Sequence, residues 1–429
     1  MSTTYAAPAL SRRRTFTLLS GLYVSQFLGV GFFFTALVAI LRDRGASLEQ
    51  LSTIQALGLV WAVKVFWAPL LDRYGSRRRG HYRGWLLVLQ PLIAVSLLAM
   101  IGLDPVGDFG PMMALAALVV LFSATQDIAA DALAVRILAP TDRGIGNGIQ
   151  VGGGYLGTIL GGGAVLVVYD TWGWAAAIGT LVVLTLLPTW LVLRYREPLR
   201  TDEPTSRPGY RDLLTVFRQP GVVRWSLVLL PVLWLGVGGS YALVTPMLVD
   251  AGWSLSRIGL TTTILAGSGA LLAALGSGLL VRRFGRKPMM LVLGSVQVLA
   301  VLALLPLAGG RPSDLVATVA VCAMNAAYAA MSTVVYTINM DFCRPTNAGS
   351  DFTLLTTVSF VASLAAGALA LNVAGAVGYS TTLVAAAVLL GGALVAVALT
   401  FADRAGPAAG EAGSGDAVAG RSEVEPAVG

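Results

Sequence analysis

Charged residues, cysteine and histidine are all scarce in this sequence, and each scarcity excludes a class of protein. Only 12% of the 429 residues are charged, whereas about 25% is usual for soluble domains, so we do not expect a soluble globular protein. One histidine and two cysteines are too few for a usual zinc site. Cys322 and Cys343 lie on one predicted helix, roughly 30 Å apart at helical rise, too far for a disulfide. We therefore expect no metal ion and no cofactor.

Long apolar runs dominate what is present. Hydrophobic residues make up 56% of the chain and the mean hydropathy is +0.77. Apolar runs of about 20 residues, enough for a helix to cross about 30 Å of hydrocarbon, recur along nearly the whole chain. The sequence predicts an all-α integral membrane protein with twelve transmembrane helices. The predicted spans are 16–41, 50–71, 84–103, 109–138, 144–169, 173–195, 222–249, 257–281, 288–308, 313–341, 351–375 and 378–402.

The spans form two repeats of six. The segment "PLLDRYGSRRRG" (69–80) follows span two, and "LLVRRFGRKPMM" (279–290) follows span eight, the equivalent place in the second repeat. Two parallel six-helix repeats are the layout of the major facilitator fold, which binds its solute between the repeats. We predict an N-terminal six-helix bundle (1–195), a cytoplasmic linker (196–221), a C-terminal six-helix bundle (222–402) and a disordered cytoplasmic tail (403–429).

Basic residues predict the orientation of the chain. With both termini in the cytoplasm, the cytoplasmic segments hold 24 of the 29 lysines and arginines, the outer loops hold four, and Lys64 lies inside span two. The positive-inside rule favours this distribution. It also accounts for the net charge of +7 without a nucleic-acid partner. The apolar stretch after Arg14 is too long for the core of a signal peptide, so we expect it to be the first span.

Three charged side chains, Lys64, Asp127 and Asp131, lie inside predicted spans. Such a group costs at least about 2.5–3.5 kcal/mol near mid-membrane, so it normally faces the protein interior or a water-filled cavity. Lys64 and Asp127 fall at similar depths, and we expect Lys64 to pair with Asp127 or Asp131. The two aspartates share a helix face and repel each other unless a cation or a proton neutralises one. Proton coupling and a fixed structural ion network both fit this pattern.

Polar side chains on spans one, four, seven and ten are candidate solute contacts. On span ten they recur at steps of three and four, which places them on one face of the helix. Inward-facing polar residues bind polar solutes, but such residues often only join helices, and both interpretations fit. The candidates for the substrate cavity are Tyr23, Gln26, Gln126, Tyr241, Asn325, Tyr328, Ser332 and Tyr336.

Glycines at regular spacing predict close helix packing. Gly153, Gly157 and Gly161 recur every four residues on span five, and Gly259 and Gly267 lie on span eight. Small residues at such spacing let helix backbones approach closely. Because spans five and eight face each other across the two halves in the major facilitator layout, we expect these glycines to let the halves rock.

Motifs for catalysis and for ATP binding are missing. The sequence contains no P-loop, and the single histidine, His81, leaves no usual catalytic triad. We therefore expect a secondary-active transporter and no enzyme. A sensor is disfavoured because the longest loop, of about 25 residues, cannot hold a folded domain.

Several linked motifs resemble the AmpG-like permeases of the major facilitator superfamily. They are "KVFWAPLLDRY" (64–74), "SATQDIAADAL" (123–133), "DRGIGNGIQVGGGYLG" (142–157) and "GSDFTLL" (349–355). The best-known member imports peptidoglycan fragments across the bacterial inner membrane, and the resemblance implies this location. The segment "DALAVR" (131–136) departs from the muropeptide permeases, and "QDIAADALAVR" (126–136) with "GNGIQVGGGYLG" (146–157) is more similar to the RhtX/FptX branch. This resemblance implies import of a siderophore, with a muropeptide, or export of a drug or metabolite, as alternatives.

Alternating access requires a gate at the inner side of the membrane. We expect Asp72, Arg73, Arg77 and Arg143 to form this cytoplasmic gate. The expected partners are a small-molecule solute, a proton as coupling ion and the lipid bilayer, and we expect the protein to act as a monomer.

Overall fold

The regular elements in the described part of the chain are all helical. The computed structural model describes residues 11–76, 78–197, 209–310 and 312–402. The long helices are α1 (Arg12–Asp43), α2 (48–73), α3 (His81–Met100), α4 (Phe109–Ile137), α5 (143–172), α6 (174–194), α7 (Val222–Asp250), α8 (Leu255–Phe284), α9 (Arg286–Ala308), α10 (Asp314–Phe342), α11 (Ala348–Val377) and α12 (Tyr379–Thr400).

Ten helical segments of the described chain are long and apolar enough to cross a bilayer. One of them, Pro140–Arg194, has 55 residues, about 80 Å at helical rise and far more than one crossing needs. Gly173 divides it with a φ of 79°, a conformation that residues with a Cβ rarely adopt, so this segment supplies both α5 and α6. Together with the interrupted α2, the predicted twelve-helix all-α fold is confirmed.

Helix α2 differs from the single regular helix that the sequence predicts over 50–71. It contains 3₁₀ turns at Leu57–Leu59 and at Lys64–Phe66. Pro69 has no N–H with which to continue the α-helical hydrogen bonds past the second turn. Irregular turns inside helices often mark hinges or functional sites, and π-helical turns also occur in α1, α5, α7 and α8.

The described residues of the loops after α2, α4 and α10 (74–76 with 78–80, 138–142 and 343–347) lie at one end of the helices, which we call the basic end. An apolar cluster there combines Leu19 and Leu133 of the first six helices with Phe352 of α11. At the opposite end, one cluster is built from α1–α6 and another from α7–α12. The two groups of six helices therefore pack together at the basic end and form separate cores at the other.

Part of the predicted linker is helical and contacts the second group. A short helix, Tyr210–Thr215, precedes α7. Arg344 donates a hydrogen bond of 2.9 Å to the carbonyl oxygen of Asp212 in this helix. The predicted domain limits stay predictions, and residues 198–208 and 403–429 lie outside the described residues.

Candidate functional site

A cavity of about 530 Å³ lies between the two groups of helices, near the middle of their length. Small-molecule sites usually have volumes of about 300–1,000 Å³. Helices α1, α2, α4 and α5 form one wall, and α7, α8, α10 and α11 form the other. The two walls differ in chemistry, because ionisable acids and a lysine line the first while uncharged side chains line the second.

The first wall, which we call the charged wall, contains a buried ion pair. The ammonium group of Lys64 contacts Oδ2 of Asp127, and the side-chain amide of Gln26 donates to Oδ1. Lys64 and Asp127 both reach the cavity, although their side chains are almost fully buried. Of the two partners that the sequence allows for Lys64, the structure shows Asp127.

Asp131 also lies on the charged wall but has a different environment. Gln150 donates a hydrogen bond of 2.8 Å to its Oδ1 atom, and the hydroxyl of Tyr23 lies near it without regular hydrogen-bond geometry. Asp131 is 2% exposed, and it forms no ion pair with any described lysine or arginine. Lys64 lies near enough to act on its charge but contacts Asp127 instead, so Asp131 is the less fully balanced of the two acids.

The second wall, which we call the neutral wall, carries hydroxyl, amide and aromatic groups. The hydroxyl of Tyr241 donates to Oδ1 of Asn325 over 3.3 Å, and its ring lies 5.0 Å from that of Tyr328. Ser332 donates within its own helix to the carbonyl oxygen of Tyr328. Tyr336 also lines the cavity. The polar stripe predicted on span ten thus faces the cavity.

Three predicted cavity residues are not on its wall. Gln26 lies behind Asp127 as its hydrogen-bond donor, and Gln126 donates to the hydroxyl of Ser25, 3.3 Å away, inside the first group. Tyr23 is fully buried against Gly153. The prediction was wrong because a helix turns by about 100° per residue, so Gln126 points away from the direction that Asp127 takes.

Asp72 joins the two groups at the basic end. It is 1% exposed and accepts hydrogen bonds from the backbone N–H groups of Gly349 and Ser350, at 3.0 and 2.8 Å, at the start of α11. The hydroxyl groups of Ser350 and Tyr82 also donate to it, each over 2.6 Å. A carboxylate at the N-terminus of a helix is favoured by the unsatisfied N–H groups and the helix dipole.

Tyr82 links this contact to a further ion pair. The Arg136 guanidinium lies 5.5 Å from the ring of Tyr82 and 3.0 Å from Oε1 of Glu197. Burial raises the pKa of Glu197, and the backbone N–H of Arg83 and the charge of Arg136 oppose this effect. Arg136 is thus occupied by Glu197 and does not neutralise Asp131.

A second set of contacts joins the start of α5, and the residues just before it, to α8, α9 and α10. Arg143 and Arg286 both bind the carboxylate of Asp341, at 2.9 and 2.8 Å. Arg286 also donates to the carbonyl oxygen of Pro140 over 2.6 Å. Arg282 lies 3.7 Å from Asp142. These ion pairs and the contacts of Asp72 close the basic end of the cavity.

One predicted gate residue, Arg73, takes no part in these contacts. Arg73 is exposed and lies over the ring of Tyr74, its neighbour in sequence, at 5.6 Å. It follows Asp72 directly, so the turn of the helix directs it away from α11. Arg77 lies outside the described residues.

The glycines of α5 pack differently from the prediction. Gly153, Gly157 and Gly161 contact α1 of the same group, and a Cβ at Gly153 would lie 3.0 Å from that of Tyr23. A Cβ at Gly259 would have no neighbour within 4 Å, and one at Gly267 would make ordinary contact with Ile159 at 3.5 Å.

The glycines of α5 that face α8 form a second series with the same four-residue spacing, which ends at Gly152, one residue before Gly153. A Cβ at Gly144 would lie 2.9 Å from the carbonyl oxygen of Gly278, and one at Gly148 would lie 2.7 Å from that of Ala274. Any side chain at these two positions would force the helices apart. The close contact between the groups is therefore at the basic end.

Comparison with known proteins agrees with this architecture. The sequence matches the Major Facilitator Superfamily over residues 19–367. The chain belongs to this superfamily. Its members are transporters, so this chain is a multi-pass membrane transporter.

Two relatives within the superfamily are informative. An uncharacterized protein of Haemophilus influenzae is 27% identical over 353 residues, which cover 79% of this chain and 83% of that protein. The anhydromuropeptide permease of Escherichia coli K12 is 29% identical over 256 residues, which cover 58% of this chain and 52% of the permease. The second match thus spans about half of the permease.

A solved structure has the same fold. The human organic anion transporter MFSD10 superposes with a TM-score of 0.68 at 15% identity, covering 90% of this chain and 99% of that one. At this identity the match concerns the superfamily fold alone.

Several residues of the site and gate carried little signal in the sequence. Ser350 lies in the segment that resembles the AmpG-like permeases, but its contact with Asp72 depends on the packing of α11 against α2. Tyr155 and Thr357 line the cavity from α5 and α11, two helices from which no candidate cavity residue was chosen. Asp341 was visible only as the equivalent of Asp131 in the second repeat, 210 residues later.

Proposed function

We propose that this transporter imports a small organic solute across the bacterial inner membrane by alternating access, driven by protons. The observation that carries the proposal is the central cavity. It has a charged wall in one six-helix group and a neutral wall in the other, and contacts between the groups close it at the basic end. Rocking of two repeats about a site between them is the general scheme of such transporters.

The contacts at the basic end define the conformational change. The positive-inside distribution of lysine and arginine supports a cytoplasmic location for this end, so in this proposal the cavity receives solute from outside. Release inside requires the contacts of Asp72 with α11 and of Arg143 with Asp341 to break. The separate cores at the opposite end would then come together.

Asp131 is the group that we propose to take the proton. Asp127 is already balanced by Lys64, whereas Asp131 is buried with one amide donor and without an ion pair in the described structure. A buried acidic group without a cation binds a proton to avoid an uncompensated charge. Opening of the basic end would expose Asp131 to water and release the proton.

An anhydromuropeptide is the solute class that the comparisons support. The resemblance of "QDIAADALAVR" (126–136) and "GNGIQVGGGYLG" (146–157) to the RhtX/FptX branch favours a siderophore, but a matched relative is named an anhydromuropeptide permease. The cavity suits a solute with polar and ring groups, because Tyr241, Tyr328 and Asn325 offer aromatic faces beside an amide.

The test is uptake by cells that lack their own carriers. Cells producing the protein receive labelled anhydromuropeptide or labelled ferric siderophore, with and without a proton ionophore. We expect accumulation of the muropeptide that the ionophore abolishes. Accumulation of the siderophore alone would move the assignment to that class. A lower content than in control cells would indicate export instead.

The role of Asp131 is tested with Asp131→Asn. We expect at least a tenfold loss of proton-driven accumulation, while exchange of labelled for unlabelled solute continues, because exchange needs no net proton release. Asp104→Asn is the matched control, since Asp104 is an exposed acid paired with Arg44 at the opposite end. Full accumulation by Asp131→Asn would exclude Asp131 as the proton carrier.

A further inference from the structure

Lys64 has a position that its ion pair with Asp127 does not fully explain. It is the only cationic side chain on the cavity wall as formed by the described residues. We infer that Lys64 binds a carboxylate group of the solute, so that the transporter selects carboxylate-bearing solutes. This inference rests on the proposed function and specifies the solute at the same cavity.

The donors of Lys64 allow a second partner. An ammonium group has three N–H donors, and the acceptor that the structure gives it is Oδ2 of Asp127. A carboxylate that enters a water-poor cavity needs a cation and hydrogen-bond donors to offset its desolvation. On these walls Lys64 supplies both, while the neutral wall supplies hydroxyl, amide and aromatic contacts for the rest of the solute.

Asp127 can share Lys64 without losing its own hydrogen bonds. Gln26 donates to its Oδ1 atom from behind the wall, so Asp127 keeps a donor when the ammonium group turns toward a solute. Lys64 lies in the 3₁₀ turn Lys64–Phe66 and has a flexible four-carbon side chain. A small movement of the ammonium group is therefore sufficient.

The charge count links the carboxylate to the proton. With Asp127 and Asp131 ionised and Lys64 protonated, the wall carries one net negative charge, which opposes a negative solute. A proton on Asp131 makes the wall neutral, so proton binding and carboxylate binding favour each other. Such coupling is reciprocal, as a proton-driven importer of anionic solutes requires.

The test measures binding to the purified full-length protein by calorimetry. The probes are anhydromuramyl tripeptide and the same compound with its carboxylates converted to carboxamides. We expect the acid to bind at least tenfold more tightly than the amide to the wild-type protein. Equal binding of the two, or binding of neither, would overturn the inference.

Two variants separate solute binding from a structural ion pair. Asp127→Asn frees Lys64 from competition, so we expect the acid to bind at least threefold more tightly and the amide to be unaffected. The double variant Lys64→Gln with Asp127→Asn keeps the site's charge balanced but has no cation, so we expect the preference for the acid to disappear. Retention of that preference by the double variant would contradict the inference.

Uptake distinguishes failure of the proposed function from failure of this inference. Selective binding of the acid without accumulation in cells would leave the role of Lys64 intact and overturn the proposed import. Accumulation of the acid and the amide at equal rates would support the proposed import and overturn the role of Lys64 in selecting a carboxylate.

Discussion

The contacts that close the basic end differ between its two sides. Where α2 meets α11, Asp72 is 1% exposed and accepts hydrogen bonds from the start of the opposite helix. Where α8 meets α5, Arg282 stands 210 positions after Asp72, and its side chain is 40% exposed and 3.7 Å from Asp142.

Both sides place a negative charge at the beginning of a helix, where it is favoured. On the first side the acid comes from the other group. On the second side, Asp142 immediately precedes its own helix α5, and arginines of both groups flank its carboxylate, Arg12 at 3.0 Å and Arg282 of the other group at 3.7 Å. The contacts thus lie at equivalent places in the two repeats, but the acid, Asp72, faces the helix of the other group on the first side, whereas Asp142 precedes a helix of its own group on the second. The buried side is shielded from salt, whereas the exposed ion pair is screened, so we expect the first side to contribute more to closure.

Asp72→Asn should have the largest effect on this comparison. Hydrogen bonds to a charged group contribute about 1.5–3 kcal/mol each, and the neutral amide cannot accept from all the donors that Asp72 holds. We expect at least a tenfold fall in the ratio of molecules closed at the basic end to those open there. Spin labels placed in each group at that end would measure it.

Ser350→Ala is the control for this variant. It removes one hydroxyl donor but keeps both backbone N–H groups, so we expect less than a threefold change. If the Asp72→Asn protein has the same ratio of closed to open molecules as the wild-type protein, the buried side does not contribute more to closure than the exposed side.

Asp341→Asn should have an intermediate effect. It takes the shared acid away from Arg143 and Arg286, but Arg286 keeps its hydrogen bond to Pro140. We expect uptake to fall roughly threefold to tenfold, measured in proteoliposomes. Asp314→Asn is the control on the same helix, since Asp314 pairs with Arg257 near the opposite end and is 66% exposed. Equal losses in both variants would show that the position of the acid is irrelevant.

Arg282→Gln should have the smallest effect, because exposed ion pairs contribute about 0–1 kcal/mol. We expect less than a threefold fall in the rate of uptake at about 0.15 M salt. At about 1 M salt, where the Debye length is about 3 Å, the variant should match the wild-type protein. A loss that persists at high salt would mean that Arg282 acts through packing and that the two sides are more alike than their exposure indicates.

The sequence was sufficient for the features that depend on one helix at a time. Apolar runs long enough to cross a bilayer predicted the twelve helices, and the depths of Lys64 and Asp127 along their helices made them candidate partners. The repeated loops after spans two and eight indicated which end would carry related contacts.

Features that depend on the direction of a side chain were not predictable in the same way. Glycines recur every four residues on two faces of α5, so spacing alone gives little indication of which face meets which neighbour, and Gly153 was assigned to α8 although Gly152 and Gly148 face it. The contact between Asp72 and Ser350 joins residues 278 positions apart, and only the packing of the two groups brings them together. The turn at Lys64–Phe66 likewise depends on local hydrogen bonds that hydropathy does not report.

The separation of the charged and neutral walls has a consequence for altering the carrier. The ionisable residues belong to the first six helices, while Tyr241, Asn325, Tyr328 and Ser332 belong to the last six. Substitutions in the latter set would change the contacts with most of the solute while leaving the residues proposed for proton coupling unchanged. A library confined to α7 and α10 is therefore the economical starting point for engineering carriers of new molecules.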